Sequence, residues 1–124
     1  MQFVSTETAP KAVGPYSQGT IEKNVIFTSG QLPIDPETGV LVQGDIQKAT
    51  LQSLKNVLSV VEAGGGSLED IAKITVFVTN MKNFPAINAV YSDFFGDHKP
   101  ARSLVQVAEL PLGGEIEIEA TCII

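Results

Sequence analysis

An apolar repeat between Asp45 and Gly64 constrains the fold of this chain more than any other pattern. Apolar side chains recur there at spacings of three and four residues, the period of one face of an α-helix. The repeat comprises Ile46, Ala49, Leu51, Leu54, Val57, Leu58 and Val61. Asp45 is a suitable N-cap residue, and the glycines at 64–66 end the pattern. An amphipathic helix of this length must bury its apolar face against another layer.

Strands are predicted on both sides of this helix. Val25–Ser29 and Ile74–Thr79 are rich in β-branched and aromatic residues, which favours extended structure. Further strands are predicted at 16–22, 102–107 and 115–123, with a short additional strand at 2–4. The proline- and glycine-containing segment 31–44 is predicted to be a long loop.

A second helix is predicted to begin near Asn83 and Pro85 and to end at Gly96. Its apolar face comprises Phe84, Ile87, Tyr91, Phe94 and Phe95. The resulting order, β-β-α-β-α-β-β, predicts an α+β fold in which two helices pack on one face of a mixed β-sheet. A chain of 124 residues predicts a single domain, 1–124.

The strand at 74–79 is apolar on both faces. Val76 and Val78 point to one side of the sheet and Phe77 to the other. Because two helices cover one face only, the second face needs a partner, and we expect an oligomer closed through it. The alternative is that the uncovered face is small and tolerated.

Composition excludes several classes of function. The chain has 8 Lys+Arg against 14 Asp+Glu, a net charge of −6, which disfavours general nucleic-acid binding. One histidine, His98, and one cysteine, Cys122, allow neither an internal disulfide nor a Cys/His zinc site. There is no apolar run long enough to span a membrane and no pattern of an export signal, so we expect a cytoplasmic protein.

Arg102, the single arginine, is the first candidate for a functional residue. Its guanidinium suits bidentate capture of a carboxylate or phosphate, and the alternative is a surface ion pair. Alternation places Glu115, Glu117 and Glu119 on one face of the last strand. A solvated face is favoured for Glu115 and Glu117, although one of the three carboxylates could enter a cleft and act on a water molecule.

Several other side chains allow either a functional or a purely structural interpretation. Tyr16 could line a pocket or belong to the core, and Ser29-Gly30 could form a ligand site or an ordinary turn. Asn88 lies within the second helix, where asparagine usually faces solvent or bonds locally. His98 is expected to be exposed to solvent, and Cys122 is expected to be a buried, unreactive thiol.

Five short motifs follow one another along the chain. They are Gly14-Pro15-Tyr16-Ser17-Gln18, Ser29-Gly30-Gln31-Leu32-Pro33, Asn88-Ala89-Val90-Tyr91, Pro100-Ala101-Arg102-Ser103 and Ile116-Glu117-Ile118-Glu119-Ala120. Together they resemble the Rid/YjgF family of reactive intermediate deaminases over essentially the whole chain. The resemblance implies a chorismate-mutase-like fold and a homotrimer with ligand sites in the clefts between subunits.

The resemblance also implies an activity. Well-characterised members hydrolyse 2-imino acids such as 2-iminobutanoate and 2-iminopropanoate to 2-keto acids and ammonia, without a cofactor or metal. These imines arise from pyridoxal-phosphate-dependent dehydratases. The family's carboxylate-binding arginine falls on Arg102 and its late acid on Glu119, which would orient or deprotonate water. The implied substrate-binding residues are Tyr16, Ser29, Gly30, Asn88 and Leu104, the last in place of a frequent cysteine.

Two other functions stay open at this point. A non-catalytic trimer could bind small carboxylates in the same clefts and regulate a partner protein. A ribonuclease activity, a label sometimes attached to this family, is disfavoured by the charge of −6 and the single histidine.

Overall fold

The computed structural model describes all 124 residues as a six-stranded sheet with two helices. The strands are β1 (Gln2–Val4), β2 (Gly19–Glu22), β3 (Val25–Thr28), β4 (Ile71–Val78), β5 (Ala101–Gln106) and β6 (Ile116–Ile123). The helices are α1 (Ile46–Ala63) and α2 (Phe84–Phe95). The strand order is β1-β2-β3-β6-β4-β5, in which β4 and β5 alone are parallel neighbours. The predicted α+β fold with a mixed sheet is confirmed.

Helix α1 forms where the apolar repeat predicts it. The Asp45 side chain accepts a hydrogen bond from the backbone N–H of Lys48 at 3.1 Å and so caps the first turn. Gly65, at φ +94°, lets the chain reverse after the last turn. The buried face of the helix packs against β6 and β3 and against α2.

The predicted strands differ from the observed ones mainly at their ends. The first predicted segment, 16–22, forms a strand only from Gly19 onward, and residues 16–18 belong to the preceding loop. The buried side chain of Gln18 holds that loop, because its amide nitrogen donates to the carbonyls of Pro10 at 2.7 Å and Thr6 at 3.0 Å. Strand β4 begins at Ile71, three residues before the predicted start.

The two faces of the sheet differ in character. Ile74, Val76 and Val78 of β4 face the helices and are fully buried with their neighbours on β6. The opposite face, called here the open face, has no helix over it. Its large apolar members include Phe3, Phe27, Val105 and Ile123, which are between 42% and 72% exposed. The expectation of an uncovered apolar face is confirmed.

Helix α2 connects β4 to the parallel strand β5. Pro85 lies in its first turn, and Gly96, at φ +61°, ends it. The crossover makes β5 the edge strand of the sheet. It places Arg102 beside the first two turns of α2. Neither helix combines the length and apolar character needed to cross a bilayer.

Candidate functional site

A cleft of about 830 Å³ opens at the end of the sheet where β3 stops and β6 starts. Three loops form its walls, around residues 10–18, 29–39 and 111–112. The functional candidates Tyr16, Ser29 and Gly30 all line it, together with Glu117. This cleft therefore brings together three of the seven residues that the sequence predicted for the site.

The Ser29-Gly30 pair lies in a β-bulge. Phe27 pairs with Thr121 and Gln31 with Ile118, so three residues, 28–30, stand opposite two, 119–120. The extra residue turns the chain out of the ladder beside the cleft. The Ser29 hydroxyl donates to the carbonyl of Ser17 at 2.6 Å, which ties the bulge to the neighbouring loop. Its proton is engaged in this bond, as suits a wall of the cleft rather than a nucleophile.

Gly30 leaves space for the carboxylate of Glu117. A Cβ atom built at position 30 would stand 2.8 Å from the carboxylate carbon of Glu117 and would overlap one of its oxygens. The absent side chain thus creates the place that the carboxylate occupies. Glycine is required here because another group approaches its backbone closely.

Glu117 has an altered acidity. Partial burial raises the pKa of its carboxyl above the ordinary value, and the negative charge of Glu119 two residues away raises it further. The preference for a solvated Glu117 was therefore wrong, since this carboxylate is half-buried and lines the cleft. Glu119, by contrast, is exposed on the open face and does not line the cleft.

Tyr16 lines the cleft and is not part of the core. Its ring is 51% exposed, and its hydroxyl accepts a long hydrogen bond of 3.4 Å from the backbone N–H of Val13. Across the cleft, Leu112 has φ +61° and a side chain that is 71% exposed. These two side chains give the mouth of the cleft an apolar character.

A second cluster surrounds Arg102 at the edge of the sheet. One guanidinium nitrogen, Nη1, donates to Oδ1 of Asn88 at 2.8 Å. The guanidinium carbon lies 4.6 Å from the ring centre of Tyr91 and 5.7 Å from that of Phe84. No carboxylate lies within ion-pair distance, so the alternative of a surface ion pair is wrong for this arginine. Its remaining donors are free to bind an anion.

The predicted site residues do not meet within one chain. Arg102 pairs with Ile74 and points to the helix side of the sheet, whereas Glu117 and Glu119 belong to the open face. Two strand spacings, roughly 10 Å, also separate β5 from β6. Leu104 follows Arg102 on the helix side, and its side chain packs against the core.

His98 differs from its expected position. It is half-buried, and its Nε2 lies 2.8 Å from the carbonyl oxygen of Ile71, at the start of β4. The loop around 98–100 is thereby joined to the sheet, which explains why the ring is not in solvent. Cys122 is buried as predicted, and burial raises the pKa of its thiol to about 11.

Comparison with known proteins now identifies the family. A family model described as Endoribonuclease L-PSP matches residues 6–124. The 2-iminobutanoate/2-iminopropanoate deaminase of Escherichia coli is 48% identical over 123 residues, covering 97% of this chain and 95% of the relative. This chain belongs to the YjgF/Rid family.

Solved structures of the YjgF/Rid family agree with the fold described above. The Escherichia coli YjgF gene product matches with a TM-score of 0.95 at 46% identity, covering 99% of this chain and 98% of that one. Escherichia coli TdcF, solved with bound serine, matches with a TM-score of 0.96 at 44% identity, covering 100% of this chain. The resemblance found from the five motifs is confirmed.

Two residues of the cleft and of the arginine cluster were not singled out from the sequence. Glu117 was one of three alternating glutamates, and period two gave no means of choosing among them. Tyr91 was placed on the apolar face of the second helix and in one of the five motifs, but it was given no role at the site. The signal that could have found it is its spacing of three residues from Asn88, which places both side chains on one helix face.

Proposed function

We propose that this protein hydrolyses 2-imino acids to 2-keto acids and ammonia. The proposal rests on the surroundings of Arg102. Its guanidinium is oriented by Asn88 and has no carboxylate partner of its own. An arginine held in this way is suited to bind the carboxylate of a small acid through two parallel hydrogen bonds. The relatives named 2-iminobutanoate/2-iminopropanoate deaminase support the choice of substrate class.

The chemistry requires a positioned water molecule and a base. Water adds to the carbon of the C=N bond, its proton passes to a base, and the imine nitrogen takes up a proton. In the tetrahedral adduct the amine nitrogen takes up a second proton and the hydroxyl gives up its own. Ammonia then leaves as the C–N bond breaks and the C=O bond of the keto acid forms. Fixing the substrate carboxylate relative to the water lowers the barrier through orientation.

We assign the base to Glu117 rather than to Glu119. Glu117 lines the cleft beside Gly30, and its raised pKa makes the carboxylate a stronger base than an ordinary glutamate. Glu119 contributes through its charge, because a neighbouring anion favours protonation of Glu117. Tyr16 and Ser29 would form the walls that confine the substrate.

The proposed site needs two chains. Arg102 and Glu117 lie on opposite sides of one sheet, too far apart to hold a ligand as small as 2-iminobutanoate. We therefore propose that the arginine cluster of one subunit faces the cleft of another in a homotrimer. The open face, with its exposed aromatic side chains, would supply the contact surface.

A coupled assay tests the activity. A threonine dehydratase generates 2-iminobutanoate in solution, and the appearance of 2-ketobutanoate is followed with and without this protein. We expect the protein to accelerate that appearance beyond the spontaneous rate. No acceleration at any protein concentration would refute the deaminase proposal.

Arg102→Lys is expected to lose most of this activity. Lysine keeps the positive charge but lacks the planar fork, so bidentate binding of the carboxylate is lost, and we expect kcat/KM to fall about 100-fold. Lys55→Met, on the exposed side of α1, changes a cation outside the proposed site and should retain full activity. Unchanged kcat/KM in Arg102→Lys would remove the arginine from the site.

Binding without turnover would point to the other candidate function. If 2-ketobutanoate binds and the wild-type protein does not accelerate imine hydrolysis, a regulatory carboxylate-binding trimer is favoured. A ribonuclease, the activity named in the family description, would require RNA cleavage with a steep dependence on salt. The histidine of this chain is already bonded to the Ile71 carbonyl and is poorly placed for acid–base work on RNA.

A further inference from the structure

Two aromatic rings form a seat for the guanidinium of Arg102. Tyr91 lies 4.6 Å from the guanidinium carbon and Phe84 lies 5.7 Å from it, both distances within the range of cation–π attraction. Both rings come from α2, one on its first residue and one two turns later. These two side chains are called here the aromatic seat.

The Tyr91 ring is held firmly by the core. Its centre lies 4.7 Å from that of Phe95, a buried residue of the same helix, and the ring packs against the main hydrophobic cluster. A ring fixed in this way restricts the motion of a guanidinium that packs against it. Asn88 adds a directional contact, because its carbonyl oxygen accepts from Nη1 at 2.8 Å.

The hydroxyl of Tyr91 makes no contact that orients the guanidinium. Its oxygen is buried and has no hydrogen-bond partner, and burial raises the pKa of the phenol. A buried polar group without a partner destabilises a fold. The useful part of this tyrosine is consequently its ring.

We propose that Tyr91 is a positioning residue that acts through Arg102, with Phe84 as a weaker second support. The inference rests on the proposed function, since it assumes that Arg102 binds the substrate carboxylate. Both rings of the aromatic seat lie against the guanidinium, and Asn88 occupies one donor. Approach of the carboxylate is thereby confined to the remaining edge, and the arginine loses little conformational freedom when the ligand binds.

Three variants of the seat and one control test this role. Tyr91→Phe keeps the ring and removes the unpaired hydroxyl, so we expect KM and kcat within twofold of wild type. Tyr91→Leu removes the ring, and we expect KM for 2-iminobutanoate and Kd for 2-ketobutanoate to rise about tenfold. Phe84→Leu is expected to give a smaller rise, of about threefold. Phe94→Leu removes a packed ring of α2 outside the seat and should leave both constants unchanged.

A signal independent of the ligand separates this proposal from the deaminase proposal. Arg102 is the only arginine, so its side-chain Nε–H gives a single resonance in a nitrogen-correlated NMR spectrum. Ring currents from Tyr91 should shift that proton in the wild type and in Tyr91→Phe, and the shift should disappear in Tyr91→Leu. A protein that shows the shift but neither binds nor turns over substrate refutes the deaminase function alone.

Two results would overturn the positioning role. One is a folded Tyr91→Leu protein that binds 2-ketobutanoate as tightly as the wild type. The other is an equal loss of affinity in Phe94→Leu, since that would trace the effect to general packing of α2. Should Tyr91→Leu fail to fold, Phe84→Leu, at a position that is 37% exposed, supplies the same comparison, and an unchanged Kd there overturns the shared seat.

Discussion

At the scale of single residues, Glu117 shows how a fold changes the chemistry of an ordinary side chain. The missing side chain of Gly30 leaves room for its carboxylate, and partial burial with a nearby negative charge raises its pKa. A raised pKa means that the folded protein favours the neutral carboxyl. The stabilisation that comes from protonated Glu117 is fully present below the ordinary pKa of glutamate. It is lost as pH rises through the raised pKa of the folded protein.

Glu117→Gln is therefore expected to change stability and activity in opposite directions. Glutamine keeps the shape of the side chain without the charge, so the melting temperature at pH 7 should rise relative to wild type. At a pH below the ordinary value of 4.5 the two proteins should be equally stable. Loss of the base should lower kcat about 100-fold. Scanning calorimetry across pH and the coupled assay measure the two effects.

Glu119→Gln separates the roles of the two glutamates. Removing the neighbouring charge should lower the pKa of Glu117, so the acidic limb of the kcat/KM profile should move to lower pH while activity at neutral pH persists. Abolished activity in Glu119→Gln, with full activity in Glu117→Gln, would reverse the assignment made here.

At the scale of elements, the cleft depends on how a long loop is fastened to a helix. The side chain of Asn56, 1% exposed on α1, donates to the carbonyl of Ile34 at 2.8 Å and that of Leu32 at 3.1 Å. Both carbonyls belong to the segment 31–44, and Leu32 and Ile34 themselves line the cleft. A buried amide thus stabilises a loop that has little regular structure of its own.

Asn56→Ala should lower the free energy of unfolding by about 2 kcal/mol, because two partly buried carbonyls lose their partner. The loop should also become more mobile, and KM for the imine should rise. Gln52→Ala is the matched control. It removes only the hydrogen bond that Gln52 donates to Oδ1 of Asn56 at 2.9 Å, with an expected loss of about 1 kcal/mol. Urea unfolding measures both values, and equal losses would contradict the anchoring role of Asn56.

At the scale of the whole molecule, the open face and the divided site lead to the same expectation. Exposed aromatic side chains on a sheet face are costly in water, and under the proposed function the arginine cluster and the cleft would meet only between two chains. Closure into a ring would satisfy both conditions, because each subunit would give its arginine to one neighbour and its cleft to the other.

Phe27→Lys is expected to break this assembly. The ring of Phe27 is 48% exposed at the centre of the open face, and a charge there cannot be buried against another subunit without a partner. Light scattering should give three times 13.2 kDa for the wild type and 13.2 kDa for the variant, with loss of deaminase activity. Leu51→Lys, on the exposed side of α1, should remain a trimer. A wild-type protein of 13.2 kDa would reject the intersubunit site.

The helices and strands of this fold could be predicted from the sequence because the residue patterns that indicate them are local. The apolar repeat of α1, its aspartate cap and the two-sided strand β4 reflect which faces are buried, and burial selects residue types at fixed spacings. The uncovered sheet face was predicted because two helices can cover only one face of a sheet. Strand ends were less well defined, as at residues 16–18, where the side chain of Gln18 holds a loop through contacts with distant backbone.

Sequence alone thus determined the fold class and the family, and it predicted a role for Arg102 in ligand binding. Tertiary structure decided which glutamate lines the cleft and what surrounds the arginine. Glu117 and Glu119 are equivalent by alternation, and their surroundings differ because Glu117 lies against Gly30 in the cleft whereas Glu119 is exposed. Tyr91 and Arg102 meet because a helical crossover joins two parallel strands. Such contacts depend on the path of the backbone in space, and the spacing of residues along the chain does not specify that path.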